Sequence, residues 1–398
     1  MPLRPLCPDF LLLMIAGVFA AAGSSPAADR DGTADAEWPY QAEWDRLTDA
    51  HLDRALDRIA LRHDADAQLV RFAVGATDWL GDCSGQVWAR HGLVFQGDDP
   101  LMRCDPAKDA WARASTEALL DAPDIGPHHL FALLRANQDP SVKRRVIDAL
   151  LAAEPLNPAV LAAQLGDPAW QPDDALLDAR IEAVAEGRQG FDTHAARISQ
   201  IMAEASSAIA ADPELITLLL RVEEDGRGPE SSVEPAPAEV LAEMAALMPI
   251  MPAIFSSTSN LLMSALSPVC DPHRGLSERR LRACAGLGRA MAEQPQAPIE
   301  QRLGARLWWQ ALQALGEDPE PARESMRQGL WQTEAFIDLL NRQQAEEAGG
   351  WSVAYSQAMR RGESEWDLQQ RTLREAGVPL RPPEGYLPEA IKRNDPYR

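Results

Sequence analysis

Four of the five cysteines lie beyond the N-terminal residues 1–28 and carry the most reactive side chains there: Cys83, Cys104, Cys270 and Cys284. Cys83 lies in GDCSG, which has the Gly-x-Cys-x-Gly spacing of a nucleophile elbow, a turn that exposes its nucleophile only between a strand and a helix. The preceding stretch RFAVGATDWL has apolar residues at helical spacing, which disfavours the elbow. Cys104 stands before Asp105-Pro106, a helix-start signal that could lower the pKa of its thiol. These thiols are therefore either nucleophiles or halves of disulfides.

Histidines and methionines supply the candidate metal ligands. His128 and His129 are adjacent, and adjacent side chains diverge by about 100° on a helix, so we do not expect them to share a metal ion. Met244, Met248 and Met251 lie at i, i+4 and i+7 on one helix face. Such thioethers could hold Cu(I), but core packing is the commoner role of this spacing, and a groove for an apolar peptide is the remaining functional alternative. We predict no metal site and no cofactor, and we name the three methionines as a candidate apolar groove.

Glu324 is the candidate general acid. Glu324-Ser325 is followed by Gly329-Leu330-Trp331-Gln332, which resembles the catalytic pattern of lytic transglycosylases, enzymes built on helical superhelices. The spacing is far too short, so Glu324 is expected on an exposed helix face. The chain also has no His-Glu-x-x-His and no Ser-x-x-Lys motif. We predict no catalytic residue.

The N-terminal residues 1–28 have the pattern of a secretory signal peptide, with Arg4, an apolar run from Phe10 to Ala22, and small residues after it. The run is about thirteen residues long, shorter than the roughly 20 that span a bilayer. A retained anchor helix is the alternative. The sequence therefore predicts a periplasmic or secreted protein that does not span the membrane after cleavage of the signal.

In an oxidising compartment, four cysteines allow three disulfide connectivities. The separations are 21 positions from Cys83 to Cys104 and 14 from Cys270 to Cys284, whereas every other pairing joins residues at least 166 apart. We therefore predict the disulfides Cys83–Cys104 and Cys270–Cys284.

The formal charge of −22 limits the partners of the chain. Nucleic acids and anionic lipids would be repelled by such an excess of acid. We therefore expect another protein or a peptide as the partner, and no nucleic acid. The oligomeric state stays open.

Prolines preceded by Asp or Asn recur along the chain. The side-chain oxygen can accept from a free backbone amide, and proline at the first helical position needs no donor. We interpret these pairs as helix starts: Asp105-Pro106, Asp139-Pro140, Asn157-Pro158, Asp167-Pro168, Asp212-Pro213 and Asp318-Pro319. Helical periodicity covers almost the whole chain and connections are short, which predicts an all-α fold of antiparallel helix pairs.

We predict that these pairs stack as an irregular, tetratricopeptide-like α-α superhelix. No fixed repeat period is found, so two irregular bundles are the alternative. The predicted organisation is a signal peptide (1–28), an N-terminal helical repeat region (29–224), a linker (225–238), a C-terminal helical region (239–376) and an extended tail (377–398).

Three stretches, at 102–139, 270–291 and 350–366 leading into GVPLRPPEGY, resemble uncharacterised secreted helical proteins of Xanthomonas-like bacteria. The resemblance implies an exported helical-repeat protein and adds nothing about chemistry. Together with the residues above, it predicts a non-catalytic module for protein binding or scaffolding. The alternative is a periplasmic glycan- or peptide-cleaving hydrolase with Glu324 as its acid.

Overall fold

The computed structural model describes residues 39–59, 62–73, 114–136, 140–191, 194–208, 212–226, 238–247, 265–346 and 350–392. Within these ranges every regular element is a helix and no strand occurs, which confirms the all-α prediction. None of the helices in these ranges is both long enough and apolar enough to cross a membrane.

The helices are numbered here in chain order. They are α1 (Gln41–Ile59), α2 (65–73), α3 (114–120), α4 (Pro127–Ala136), α5 (Pro140–Ala153), α6 (Pro158–Leu165), α7 (Asp174–Gly187), α8 (Ala195–Ser207), α9 (Pro213–Gly226), α10 (Ala238–Leu247), α11 (Leu266–Val269), α12 (Glu278–Glu293), α13 (Pro298–Leu315), α14 (Glu320–Glu346), α15 (Gly350–Arg360), α16 (Glu365–Glu375) and α17 (Glu389–Lys392). A short 3₁₀ turn, Pro272–Arg274, lies between α11 and α12.

Four of the predicted helix starts coincide with observed ones to within one residue, and Asp105-Pro106 lies outside the described residues. The Asn157 side chain accepts from the Ala159 N–H at 2.9 Å at the start of α6. Helices α5 and α9 begin at Pro140 and Pro213, and Pro319 directly precedes α14. One prediction is wrong: Asp167-Pro168 opens a turn and no helix.

The wrong prediction has a local cause. Asp167 caps only a single turn, through a bond from the Ala169 N–H at 2.9 Å. Pro172 follows soon after, and a proline there would remove a hydrogen bond from the interior of a helix begun at Pro168. The next helix instead begins at Asp174, with Asp173 accepting from the Leu176 N–H at 2.8 Å.

The largest core cluster includes residues from both sides of the predicted 225–238 linker, among them Phe131, Ile198 and Trp309, which are all fully buried. Neighbours in sequence pack together, as in α12 with α13, but α7 also packs on α12 and α8 on α15. Helices that are distant in sequence therefore share this core.

Helices α12 and α13 cross with their backbones in close approach. A Cβ built on Gly288 would lie 2.6 Å from the Trp308 nitrogen and 2.7 Å from the Gly304 oxygen, and one built on Gly304 would lie 2.6 Å from the Ala292 nitrogen. Real Cβ atoms do not come so close to backbone atoms. Both glycines are therefore needed for this crossing.

Two buried links hold α12 to its surroundings. The predicted Cys270–Cys284 disulfide is confirmed, with both cysteines fully buried and their Cα atoms 5.6 Å apart. On the other side, the guanidinium of Arg280 donates to the carboxylate of Asp178 on α7, and it also donates to Asp174 at 3.0 Å. Arg280 and Asp178 are each 7% exposed, so this ion pair is shielded from water.

Candidate functional site

The C-terminal segment, residues 377–392, folds back onto α14. Helix α16 ends in a Schellman motif, in which the Val378 N–H donates to the Leu373 oxygen at 2.8 Å and the Gly377 N–H to the Arg374 oxygen at 3.0 Å. Gly377 has φ +68°, a left-handed conformation that glycine adopts without strain. This turn reverses the chain and directs the segment along α14.

Four side chains of α14 donate hydrogen bonds to main-chain oxygens of the segment. Trp331 Nε1 donates to Pro379 at 2.8 Å and Gln332 Nε2 donates to Leu380 at 2.7 Å. Two longer bonds run from the Arg327 and Arg323 guanidinium groups to the oxygens of Tyr386 at 3.4 Å and Ile391 at 3.5 Å. We call these four side chains the donor rail: Arg323, Arg327, Trp331 and Gln332.

The donor rail follows one face of the helix, since its members are at i, i+4, i+8 and i+9. Helix positions fall from Trp331 to Arg323 while their partner positions rise from 379 to 391, so the segment as a whole runs antiparallel to α14. The segment is extended at first, turns where the Tyr386 N–H donates to the Pro383 oxygen at 3.1 Å, and ends in α17.

The rail offers donors and no acceptors to the segment. Indole and guanidinium groups have no acceptor atoms. The remaining member, Gln332, is fully buried, and its Oε1 accepts from Gln370 Nε2 on α16. The Gln332 amide is thereby oriented with its N–H toward Leu380.

Side chains of the segment make further contacts. The Tyr386 ring packs edge-on against Trp331 with centroids 5.3 Å apart, and its hydroxyl donates to Glu334 at 2.8 Å. Burial and this carboxylate raise the pKa of Tyr386 above its ordinary value. Val378 and Leu380 pack against a small apolar cluster formed by Ala335, Phe336, Leu339 and Leu373.

The residues of the transglycosylase-like pattern at Glu324 have structural roles, in helix packing and in the donor rail. Glu324 is half exposed and pairs with Arg327 at 2.7 Å, in agreement with the expected surface position. Gln301 Nε2 donates to the oxygen and the hydroxyl of Ser325. A Cβ on Gly329 would lie 1.7 Å from Gln301 Oε1, so this glycine admits the glutamine side chain. Trp331 is a member of the donor rail.

The donor rail and its occupant define a surface that binds an extended chain. No family model, curated protein or solved structure matches the sequence. The function must therefore be inferred from the geometry of the chain itself.

The histidine pair lies in a second polar cluster. His129 Nε2 is 2.9 Å from Asp66 Oδ1 and His128 Nε2 is 3.6 Å from the same oxygen, so the expected divergence of the two rings is wrong. The reason is that side chains tilt toward the N-terminus of their helix. Residues in the first turn of α4 can therefore both reach past its end to α2. Arg197 from α8 binds Asp66 Oδ2 at 2.9 Å.

The hydrogen bonds of His129 argue against a metal ion. Its Nδ1 accepts from the Gly126 N–H at 2.9 Å, as the acidic residue of a capping box does. The neutral ring then carries its proton on Nε2, which donates to Asp66, whereas a metal-bound histidine donates from its other ring nitrogen. His128, His129 and Arg197 hold the pKa of Asp66 well below its usual range. The cluster fits a hydrogen-bonded clasp between α2, α4 and α8.

A small cavity lies between the start of α8, α15 and the start of α16. Its walls include Tyr355, Glu363 and Glu365, and its volume is about 80 Å³. Burial raises the pKa of Glu365 to about 7, while Arg371 and Arg361 lower that of Glu363. Ligand pockets usually enclose about 300–1,000 Å³. This cavity is therefore too small to be the cleft of a glycan- or peptide-cleaving enzyme.

Most of the other predicted site residues lie outside the described residues: Cys83, Cys104, Met248 and Met251. Met244 lies on α10. The Cys83–Cys104 disulfide and the methionine groove stay predictions. The sequence did contain one signal for the donor rail, the Trp331-Gln332 pair, but its partner segment lies 48 positions later.

Proposed function

We propose that this chain is an exported, non-catalytic helical protein that binds an extended segment of a partner protein on α14. Its helix pairs would stack as an irregular, tetratricopeptide-like superhelix. The observation that supports binding is the donor rail, which donates to four main-chain oxygens of one segment, two in its first part, one after its turn and one in α17. Export is supported by the signal-peptide pattern in residues 1–28 and by the buried Cys270–Cys284 disulfide.

The expected affinity for a free peptide is modest. Each hydrogen bond contributes about 0.5–1.5 kcal/mol net, and each partly buried apolar side chain contributes up to about 2 kcal/mol. Association and ordering of the peptide offset much of this gain. A dissociation constant on the order of 0.1 mM follows.

The test uses a fluorescein-labelled peptide with the sequence of residues 377–392. It is titrated into the full chain carrying Tyr386→Ala, a substitution that weakens the hold of the chain on its own segment. We expect saturable binding by fluorescence anisotropy. Adding Trp331→Phe to this chain removes one donor and should weaken its affinity for the peptide about fivefold.

Trp308→Phe is the matched control, because Trp308 lies on α13 and stacks with Arg289 away from the donor rail. It should leave the affinity unchanged, and circular dichroism should show equal helix content in all variants. If the Tyr386→Ala chain shows no saturable binding up to 1 mM peptide, on the order of ten times the expected constant, the proposed function is wrong.

The alternative function, a glycan- or peptide-cleaving hydrolase, gains no support from these contacts. Glu324 is paired with Arg327 at the surface. The cavity beside Glu365 is too small for a sugar ring together with a nucleophilic water.

A further inference from the structure

We infer that the C-terminal segment is an internal inhibitor of the donor rail, and that the external partner is an extended, proline-rich peptide which displaces it. This inference rests on the proposed function. It adds the class of partner and the regulation of the site.

Chemical complementarity identifies the partner class. The donor rail presents only N–H donors, so its best ligand is a chain with free carbonyl oxygens and few N–H groups of its own. Proline has no N–H and cannot continue a helix, and at Pro379 this leaves the oxygens of Pro379 and Leu380 to the rail. The oxygens of Pro383 and Pro388 instead accept backbone N–H groups of the segment itself. Four prolines lie between residues 377 and 388, namely Pro379, Pro382, Pro383 and Pro388. Aromatic grooves that bind proline-rich chains use the same complementarity.

The contacts also define positions in the partner. Val378 and Leu380 flank Pro379 and enter the small apolar cluster. Tyr386, six positions after Leu380, lies between Trp331 and Glu334. We therefore expect a partner with two apolar residues around a proline, followed six positions later by a tyrosine.

The segment is held loosely enough to be displaced. No residue from 374 to 388 is buried, and Leu387 is 48% exposed. Ile391, by contrast, is 6% exposed and joins the main core cluster. The proline-containing part can thus leave Arg327, Trp331 and Gln332 while both ends stay attached, at α16 and at Ile391, whose oxygen keeps its bond from Arg323.

The tethered segment competes with a free peptide for the donor rail, and this competition lowers the apparent affinity by a predictable factor. A tethered segment has an effective concentration of about 1 mM, and the expected dissociation constant is on the order of 0.1 mM. The unmodified chain should therefore bind the 377–392 peptide about tenfold more weakly than the Tyr386→Ala chain does. The Leu387→Ala chain is the matched control, because it changes the adjacent, exposed side chain and should behave like the unmodified chain.

A second peptide tests the partner class. In it, alanine replaces all four prolines, and its affinity for the Tyr386→Ala chain should be lower by about tenfold. Equal binding of both peptides would overturn the assigned class. Equal affinity of the unmodified and Tyr386→Ala chains would overturn the inhibition while leaving the proposed function intact. Failure of the proposed function is distinct from both, because the Tyr386→Ala chain would then bind neither peptide.

Discussion

Replacing Glu365 by glutamine should make the protein less sensitive to alkaline pH. Burial at the start of α16, beside α8 and α15, raises the pKa of this carboxyl from 4.5 to about 7, because it disfavours the charged form. The unfolded chain loses this proton near pH 4.5, whereas the folded chain keeps it up to about pH 7. The folded state thus binds more protons in this window, and its stability falls as the pH rises through it.

The size of this change in stability follows from the interval between the pKa values of Glu365 in the unfolded and folded chains. Each pH unit between the two pKa values corresponds to about 1.36 kcal/mol, so full burial gives about 3 kcal/mol. Glu365 retains partial exposure to solvent. Screening therefore reduces the expected effect to roughly 1–3 kcal/mol.

Urea unfolding at pH 5 and pH 8 measures the effect. Between these pH values the unmodified chain should lose roughly 1–3 kcal/mol more stability than the Glu365→Gln chain does. Glu324→Gln is the control, because Glu324 is an exposed glutamate paired with Arg327. It should follow the unmodified chain. If the unmodified and Glu365→Gln chains lost the same stability, the Glu365 carboxyl would be solvated like a surface acid, and the argument from burial would fail.

Three further substitutions test the buried links and the turn after α16. Asp178→Ala leaves the Arg280 guanidinium without its main buried partner and should cost about 3–5 kcal/mol in urea unfolding; replacing both residues by leucine should restore most of that loss. Replacing Cys270 and Cys284 by alanine opens a loop of 14 positions and should lower stability by about 3 kcal/mol, seen as a lower thermal midpoint. Gly377→Ala forces a side chain into a left-handed backbone and should cost about 1–2 kcal/mol by the same measurement, while Gly350→Ala, at the start of α15, should cost less.

Local signals were sufficient for most of the described helices and for one disulfide, but not for α17, which lies in the predicted extended tail. The cap at Asn157 and the short loop between Cys270 and Cys284 both depend on residues close in sequence, and both were predicted. Asp167-Pro168 failed because a later proline decides whether a helix can follow the cap.

The sequence patterns did not predict contacts between residues that are far apart in the chain. Asp66 meets His129 across 63 positions and Trp331 meets Pro379 across 48. Periodicity shows which face of a helix is apolar, but it does not specify the partner of that face. The donor rail therefore depends on a contact between α14 and the segment that neither stretch of sequence predicts by itself.

The crossing of α12 and α13 has a consequence for how the sequence can vary. Gly288 and Gly304 share one contact, in which each backbone fills the space that a Cβ on the other helix would need. A first alanine at either position would force the two axes apart, after which the second position would already have room. The costs of the two changes should thus be strongly non-additive, so a lineage that lost one glycine would no longer be under selection to keep the other.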